Sequence, residues 1–164
     1  MTAGGGIRKI AGAARDAYLA LLGCTEEDKN AALRGMIAAL GRRRGAVFAA
    51  NARDCAAADE LVAAGRMTAA LRARLVFDDA KLAGVLAGIE QVIRLPDPAN
   101  RVLWTIELDE GLVLRRVSCA LGVIGVVFES RPDVVVQVSS LLLKAGNAGI
   151  LKGGKEAQAT NTAL

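Results

Sequence analysis

The 164-residue sequence contains no histidine, which excludes a histidine-based catalytic triad or histidine metal site within the chain. Aromatic residues are scarce at 3%, while hydrophobic residues reach 53%. Ala, Leu, Val and Ile must therefore build the core. Cysteine is sparse and odd in number: Cys24, Cys55 and Cys119 are widely spaced and form no C-x-x-C pair. This excludes the common zinc spacings and a disulfide framework, and points to reduced thiols in a cytoplasmic protein. All three read as buried, unreactive cysteines. Charges interrupt every long apolar run, so no membrane span and no membrane partner are expected. The stretch "AYLALLGC" (Ala17–Cys24) is loosely like a signal-peptide core, but Arg15 and Asp16 stand immediately before it. Ile7, Ile10, Ala11, Ala14, Tyr18, Leu21 and Leu22 instead share one face of an amphipathic helix.

The formal charge is +4, and "GRRRG" (Gly41–Gly45) concentrates three arginines. No zinc spacing or aromatic RNA-binding pattern accompanies them, so nucleic acid is not an expected partner. Arg42, Arg43 and Arg44 read as the cationic close of a helix. That helix begins at Thr25, with Asp28 completing a box-like cap, and carries Leu33, Met36, Ile37 and Leu40. A further helix is expected over Ala46–Ala64, with Val47, Cys55, Ala58 and Val62 inward and Gly65 as its stop. Another spans about Asp79–Arg94 through Leu82, Val85, Leu86, Ile89 and Ile93, and "LPDP" (Leu95–Pro98) ends it.

The pattern changes after residue 100. "RVLWTIEL" and "LVLRRVS", separated by "DEG", read as a β-hairpin over residues 101–118. "GVIGVVF" (Gly122–Phe128) is almost wholly apolar and reads as a strand buried on both faces. Pro132 opens a helix to about Lys144, Ala148–Leu151 forms a second buried strand, and Lys155–Leu164 starts another helix. Strand, helix, strand, helix is the signature of a parallel α/β sheet. The expected organisation is a helical part over residues 1–100, the hairpin over 101–118, and the first strands and helices of a nucleotide-binding sheet over 119–164. Two parallel strands are few for such a sheet, and the last helix shows no stop signal, so the chain reads as cut within that domain.

The densest chemistry lies in "GNAGILKGGKEA" (Gly146–Ala157). Ligands of open α/β sheets bind beyond the carboxyl ends of the strands, where Lys152 sits. Gly153 and Gly154 permit close backbone approach, and Lys155 falls in the first turn of the next helix. A cation there is an ordinary surface residue or the partner of an anion. The segment fits neither well-known phosphate loop. Gly149, Gly154 and Lys155 satisfy G-x-x-x-x-G-K, but Glu156 replaces the magnesium-binding hydroxyl residue and a strand occupies the loop. G-x-G-x-x-G is absent; Gly122 and Gly125 lie in a strand, where close packing explains them.

"LGVIGVVFESRPDVVVQVSSLLLKAGNAGILKGGKEA" (Leu121–Ala157), with "FESRPD", "ILKGGKEA" and Asn161, resembles the γ-glutamyl phosphate reductase (glutamate-5-semialdehyde dehydrogenase) family of the aldehyde dehydrogenase superfamily. "NARD" (Asn51–Asp54) and "LPDP" extend the resemblance upstream; Ala120 departs from it, standing where relatives usually have proline. The resemblance implies NADPH-dependent reduction of L-glutamyl 5-phosphate to glutamate 5-semialdehyde in proline biosynthesis. It implies a cysteine nucleophile attacking the acyl phosphate, matched by none of the three cysteines and expected downstream. By the same resemblance Lys152 contacts the adenosine ribose, and Lys155 attracts the 2′-phosphate of NADP where NAD-using relatives often carry glutamate. Gly153 and Gly154 complete that cofactor site. Arg131 lines up with an oxyanion-binding asparagine of other aldehyde dehydrogenases. It reads as a phosphate or carboxylate ligand, or as a salt-bridge partner of Glu129 or Asp133. Ser130 reads as a hydrogen-bond donor beside it, or as a cap for the Pro132 helix. The hairpin resembles the superfamily's oligomerisation strands, implying a homo-oligomer of the full protein. The other reading is a non-catalytic dinucleotide-binding or assembly module.

Overall fold

The computed structural model describes residues 3–164. Helix α1 spans Ala3–Leu21, α2 Glu26–Ala63, α3 Ala69–Leu75 and α4 Asp79–Arg94. Strands β1 (Val102–Asp109) and β2 (Leu112–Val117) form an antiparallel hairpin. Strand β3 (Val123–Val127), α5 (Asp133–Lys144) and β4 (Ala148–Lys152) follow, then a 3-10 turn at Lys155–Ala157 and α6 (Gln158–Ala163). Strands β3 and β4 pair in parallel, Val123 opposite Ala148 and Val127 opposite Lys152. The expected α/β class, hairpin and parallel pair are all present.

Helix α2 corrects the expectation of two helices. It runs 38 residues, about 57 Å, straight through Gly41 and Gly45. Leu33, Leu40 and Val47 recur every seventh residue and are all buried. They share a cluster with Leu82, Val85, Ile89 and Val92 of α4 and Val136 of α5. Each interior glycine costs about 1 kcal/mol relative to alanine, whereas burying one such leucine or valine recovers about 1.5–3 kcal/mol. Packing along one face therefore holds the helix together. The arginine triplet consequently lies mid-helix instead of at a negative helix end. Arg44 pairs with Asp79 and lies 5.2 Å from the Phe48 ring centroid.

The ends of α2 follow local rules. The Thr25 side chain accepts from the Asp28 amide at 3.2 Å, and the Thr25 amide donates to Asp28 Oδ2 at 2.9 Å. At the other end Gly65 has φ +68, a conformation glycine adopts freely. Its amide reaches the Val62 carbonyl, and the Arg66 amide reaches the Leu61 carbonyl, closing a Schellman motif. Replacing Thr25 with alanine is expected to cost about 1 kcal/mol by loss of the cap. Chemical denaturation with unchanged m value checks this.

Two burial expectations are corrected. Strand β3 alternates between exposed and half-buried residues, and Val127 is 77% exposed. Only β4 pairs with β3 among the described residues, so an apolar sequence does not by itself place this strand in an interior. Most of the predicted apolar face of α1 is likewise open: Ile7, Ile10 and Leu22 are exposed, while Ala14 is buried. The hairpin is exposed along every residue of both strands. No helix among the described residues is long and apolar enough to cross a membrane.

Two buried lysines tie α2 to later parts of the chain, Lys144 from α5 and Lys29 to the segment after α4. Lys144 donates to Glu26 Oε1 and Asn30 Oδ1, each at 2.8 Å, and to the Ile93 carbonyl at 3.3 Å. Lys29 forms an ion pair with Asp97 of the "LPDP" segment. Burial of so hydrophilic a group requires such partners.

Candidate functional site

The loop after β4 is built around two displaced volumes. A Cβ added to Gly153 would overlap the Asn161 carboxamide and approach Phe128 Cζ at 3.2 Å. A Cβ added to Gly154 would overlap the Glu156 carboxylate. The glycine pair thus makes room for side chains of its own loop and of α6. Glu156 turns back through that room: its Oε1 accepts from the Ser130 amide at 2.7 Å and from the Ser130 hydroxyl at 3.2 Å.

Lys155 sits in a 3-10 turn and not in the first turn of an α-helix, as the sequence had suggested. The reason lies in α2. The Asp54 carboxylate accepts from the amides of Ala159 and Thr160 at 3.2 and 2.7 Å and from the Thr160 hydroxyl at 2.6 Å. That carboxylate satisfies amides at the start of a helix, so the regular helix α6 begins only at Gln158. Asn51, one turn earlier, donates to the Leu75 carbonyl at 2.8 Å and to Thr160 Oγ1 at 3.2 Å. Its own carbonyl accepts from the Phe77 amide at 2.8 Å. The two polar ends of "NARD" therefore anchor the loop that carries the lysines.

Lys152, Gly153, Gly154 and Lys155 line one open hollow of about 340 Å³. Both lysines are exposed at its wall. Gln158, Asn161 and Thr162 of α6 also line it. The Asn161 side-chain carbonyl is buried without a partner. Gln158 and Thr162 were not anticipated from sequence; only their spacing along a helix that begins at 158 brings them to the lysines.

Arg131 and Ser130 lie on the neighbouring turn, after β3. Ser130 is 3% exposed and has φ +47, uncommon for a residue with a Cβ. The helix-cap reading for Ser130 is not met: Pro132 is the N-cap of α5, and no side-chain capping bond is made there. Arg131 is more than half exposed and reaches Asp133 Oδ2 at 3.3 Å. This is the anticipated ion pair, weak at such exposure. Asp133 also accepts from Gln137 Nε2 at 3.2 Å, while its Oδ1 is buried without a partner.

The three thiols lie elsewhere. Cys55 is half-buried and donates to Asn51 Oδ1 at 3.6 Å; burial pushes its thiol up from the ordinary cysteine range. Cys24 is half-buried at the end of α1, and Cys119 is exposed, correcting the expectation that all three are buried. Cys119 precedes β3 and lines a separate hollow with Pro98, Ala99 and Asn147.

No family model matches the chain. The chain is 50% identical over 151 residues to gamma-glutamyl phosphate reductase of Methanosarcina barkeri, covering 92% of this chain and 34% of that protein. It is 51% identical over 136 residues to the enzyme of the same name from a Synechococcus strain, covering 83% of this chain and 30% of the relative. The crystal structure of gamma-glutamyl phosphate reductase from Saccharomyces cerevisiae superposes with a TM-score of 0.85 at 38% identity, over 93% of this chain and 38% of the other. The chain is homologous to an N-terminal portion of gamma-glutamyl phosphate reductase. The Thermotoga maritima enzyme of that name agrees, with TM-score 0.85, 33% identity and 92% of this chain covered. The chain spans about a third of the length of the curated gamma-glutamyl phosphate reductases it matches. Two solved reductases thus share this chain's fold over more than nine-tenths of its length.

Proposed function

We propose that the chain contributes the cofactor side of an NADPH-dependent reductase that converts L-glutamyl 5-phosphate to glutamate 5-semialdehyde, a step of proline biosynthesis. The observation that carries this reading is the hollow at the end of β4, in a chain homologous to gamma-glutamyl phosphate reductases. Its donor set fits a phosphorylated ribose. Lys152 and Lys155 offer two ammonium groups, and Gln158 and Thr162 can exchange hydrogen bonds with sugar hydroxyls. Lys155 stands toward the 2′-phosphate and Lys152 toward the ribose. Gly153 and Gly154 line the hollow beside the lysines and leave room for the Asn161 and Glu156 side chains next to it. When bound, the nicotinamide would supply the hydride.

Arg131 is the anion ligand of the substrate side, its planar donors suited to phosphate. Ser130 shapes the turn that presents it. The exposed hairpin over residues 101–118 supports a homo-oligomer, since nine of its large apolar side chains face solvent in the isolated chain. The domain reading stays as set out above: helices over 1–100, hairpin, and the NADP-binding sheet from 119. We place the protein in the cytoplasm, with neither membrane nor nucleic acid as partner.

A second reading, a non-catalytic dinucleotide-binding module, is favoured by one observation, the placement of the thiols: Cys24 and Cys55 are half-buried in the helical part, and Cys119 precedes β3, at the end of the strand pair away from Lys152. The test is the reverse reaction, glutamate 5-semialdehyde with NADP⁺ and phosphate giving glutamyl 5-phosphate, NADPH and a proton. Phosphate-dependent NADPH formation is expected from the protein encoded by the whole reading frame, and none from residues 1–164 expressed alone. Binding of NADPH without turnover in the whole protein would favour the module. Turnover by residues 1–164 that Cys119→Ala abolishes would place the nucleophile at Cys119.

A further inference from the structure

Ser130 is a buried, non-glycine residue held at φ +47 between β3 and α5. A serine in this region is strained relative to glycine, so something must hold it there. The holder is Glu156, whose Oε1 receives both the amide and the hydroxyl of Ser130. Hydrogen bonds to a carboxylate are roughly twice as strong as neutral ones. The carboxylate arrives through the space left by Gly154, where any Cβ would overlap it. Glu156 therefore links two loops: the one that carries Lys152 and Lys155 and the one that presents Arg131.

We propose that Glu156 is a positioning residue that straps the Ser130 turn, so that the half-exposed guanidinium of Arg131 stands ready for the substrate's phosphate. The proposal rests on the reductase reading above. Glu156 itself is half-buried and does not line the lysine hollow. It fixes the backbone from which Arg131 projects, and misplacing an anion ligand weakens binding of the anion it meets.

The test uses the whole protein. Glu156→Ala is expected to raise the KM for phosphate in the reverse reaction by about tenfold or more, and to leave the KM for NADP⁺ within about threefold. Glu156→Gln keeps an acceptor oxygen at the same place and is expected to retain phosphate affinity within about threefold. Gly154→Ala, which fills the path of the carboxylate, should raise the phosphate KM as Glu156→Ala does, and, because Gly154 lines the cofactor hollow, should raise the NADP⁺ KM as well. The decisive variant is Ser130→Gly/Glu156→Ala. Glycine takes a positive φ without a strap, so the double variant is expected to recover most of the lost phosphate affinity. A purely structural role for Glu156 would not be rescued in this way. Hydrogen exchange over residues 128–132 gives a readout independent of turnover, with faster exchange expected in Glu156→Ala and Gly154→Ala and little change in Glu156→Gln. Unchanged exchange and unchanged phosphate KM in Glu156→Ala would overturn the strap, as would a double variant no better than the single one. Absence of phosphate-dependent turnover in the unaltered protein would overturn the reductase reading and the Arg131 role with it. Accelerated exchange in Glu156→Ala would then still mark the strap as a feature of the fold.

Discussion

Asp97→Ala is expected to destabilise the folded chain by about 3–5 kcal/mol, the range for breaking one half of a buried ion pair. The cost arises on the other side of the pair. Lys29 is 2% exposed, and its ammonium bonds Asp97. Without that carboxylate the buried ammonium loses its ion-pair partner. Asp97 is further held by the Ala99 amide, which donates to Oδ1 at 2.9 Å. Burial by itself pushes its pKa up, favouring the neutral form. The Lys29 bond, the Ala99 amide and the nearby Lys29 and Lys144 charges outweigh this and leave the carboxyl below its ordinary pKa. A carboxyl lowered in the folded state contributes stability that is present above its unfolded pKa, about 3.9, and is lost as pH falls through the lower folded value. Urea unfolding at neutral pH and again near pH 3 checks both points: the difference between native protein and Asp97→Ala should shrink in acid. Lys29→Met/Asp97→Leu removes both charges and is expected to recover most of the loss. A double variant as unstable as Asp97→Ala would show that the two side chains matter through packing and not through charge.

Features written in neighbouring residues were legible in the sequence. Thr25 with Asp28, Gly65, and the prolines after Arg94 act within a few residues of themselves, and each ended or began a helix where its chemistry requires. The alternation of "RVLWTIEL" sufficed for the hairpin. Features that depend on distant partners were not legible. Gly41 and Gly45 weakened the helical pattern locally, and only burial of Leu33, Leu40 and Val47 against α4 and α5 shows why one helix continues through them. Helix α3 has seven residues, too few for a period to declare itself. The buried pairings of Lys29 and Lys144 left no mark in the neighbouring sequence, because their partners lie 68 and up to 118 residues away.

The candidate site divides in the same way. The Lys152–Lys155 loop was visible because strand, glycine pair and cations adjoin in sequence, and the structure brings all four residues into one hollow. The glycines, however, had been assigned to ligand approach, and the structure gives them nearer occupants in Asn161 and Glu156. Glu156 itself carried no local signal, since its partner Ser130 precedes it by 26 residues. "NARD" was recognisable by resemblance alone. Its physical work, capping α6 through Asp54 and joining three segments through Asn51, becomes apparent only once α2 and α6 are side by side.

Lys155→Glu is expected to weaken NADPH binding to the whole protein by roughly 30-fold or more, about 2 kcal/mol, while changing NADH binding only a few-fold. The two cofactors differ by one phosphate on the adenosine ribose, so any difference between the two losses reports a contact to that phosphate. Lys155 is suited to it by position: it stands exposed on the wall of the hollow, on a 3-10 turn that leads into helix α6, whose first amides Asp54 holds. The variant removes an ammonium and adds a carboxylate, so attraction becomes repulsion without a change in the fold of an exposed residue. Raising the salt concentration should narrow the NADPH difference between native protein and variant, because an exposed charge pair is screened within a Debye length of about 8–10 Å. Lys152→Met serves as the contrast. In the proposed reading it meets the ribose common to both cofactors, so its loss is expected to weaken NADPH and NADH by similar factors. Titration of both cofactors against both variants decides the assignment: equal losses for Lys155→Glu would remove Lys155 from the 2′-phosphate, and a loss confined to NADPH in Lys152→Met would exchange the roles of the two lysines.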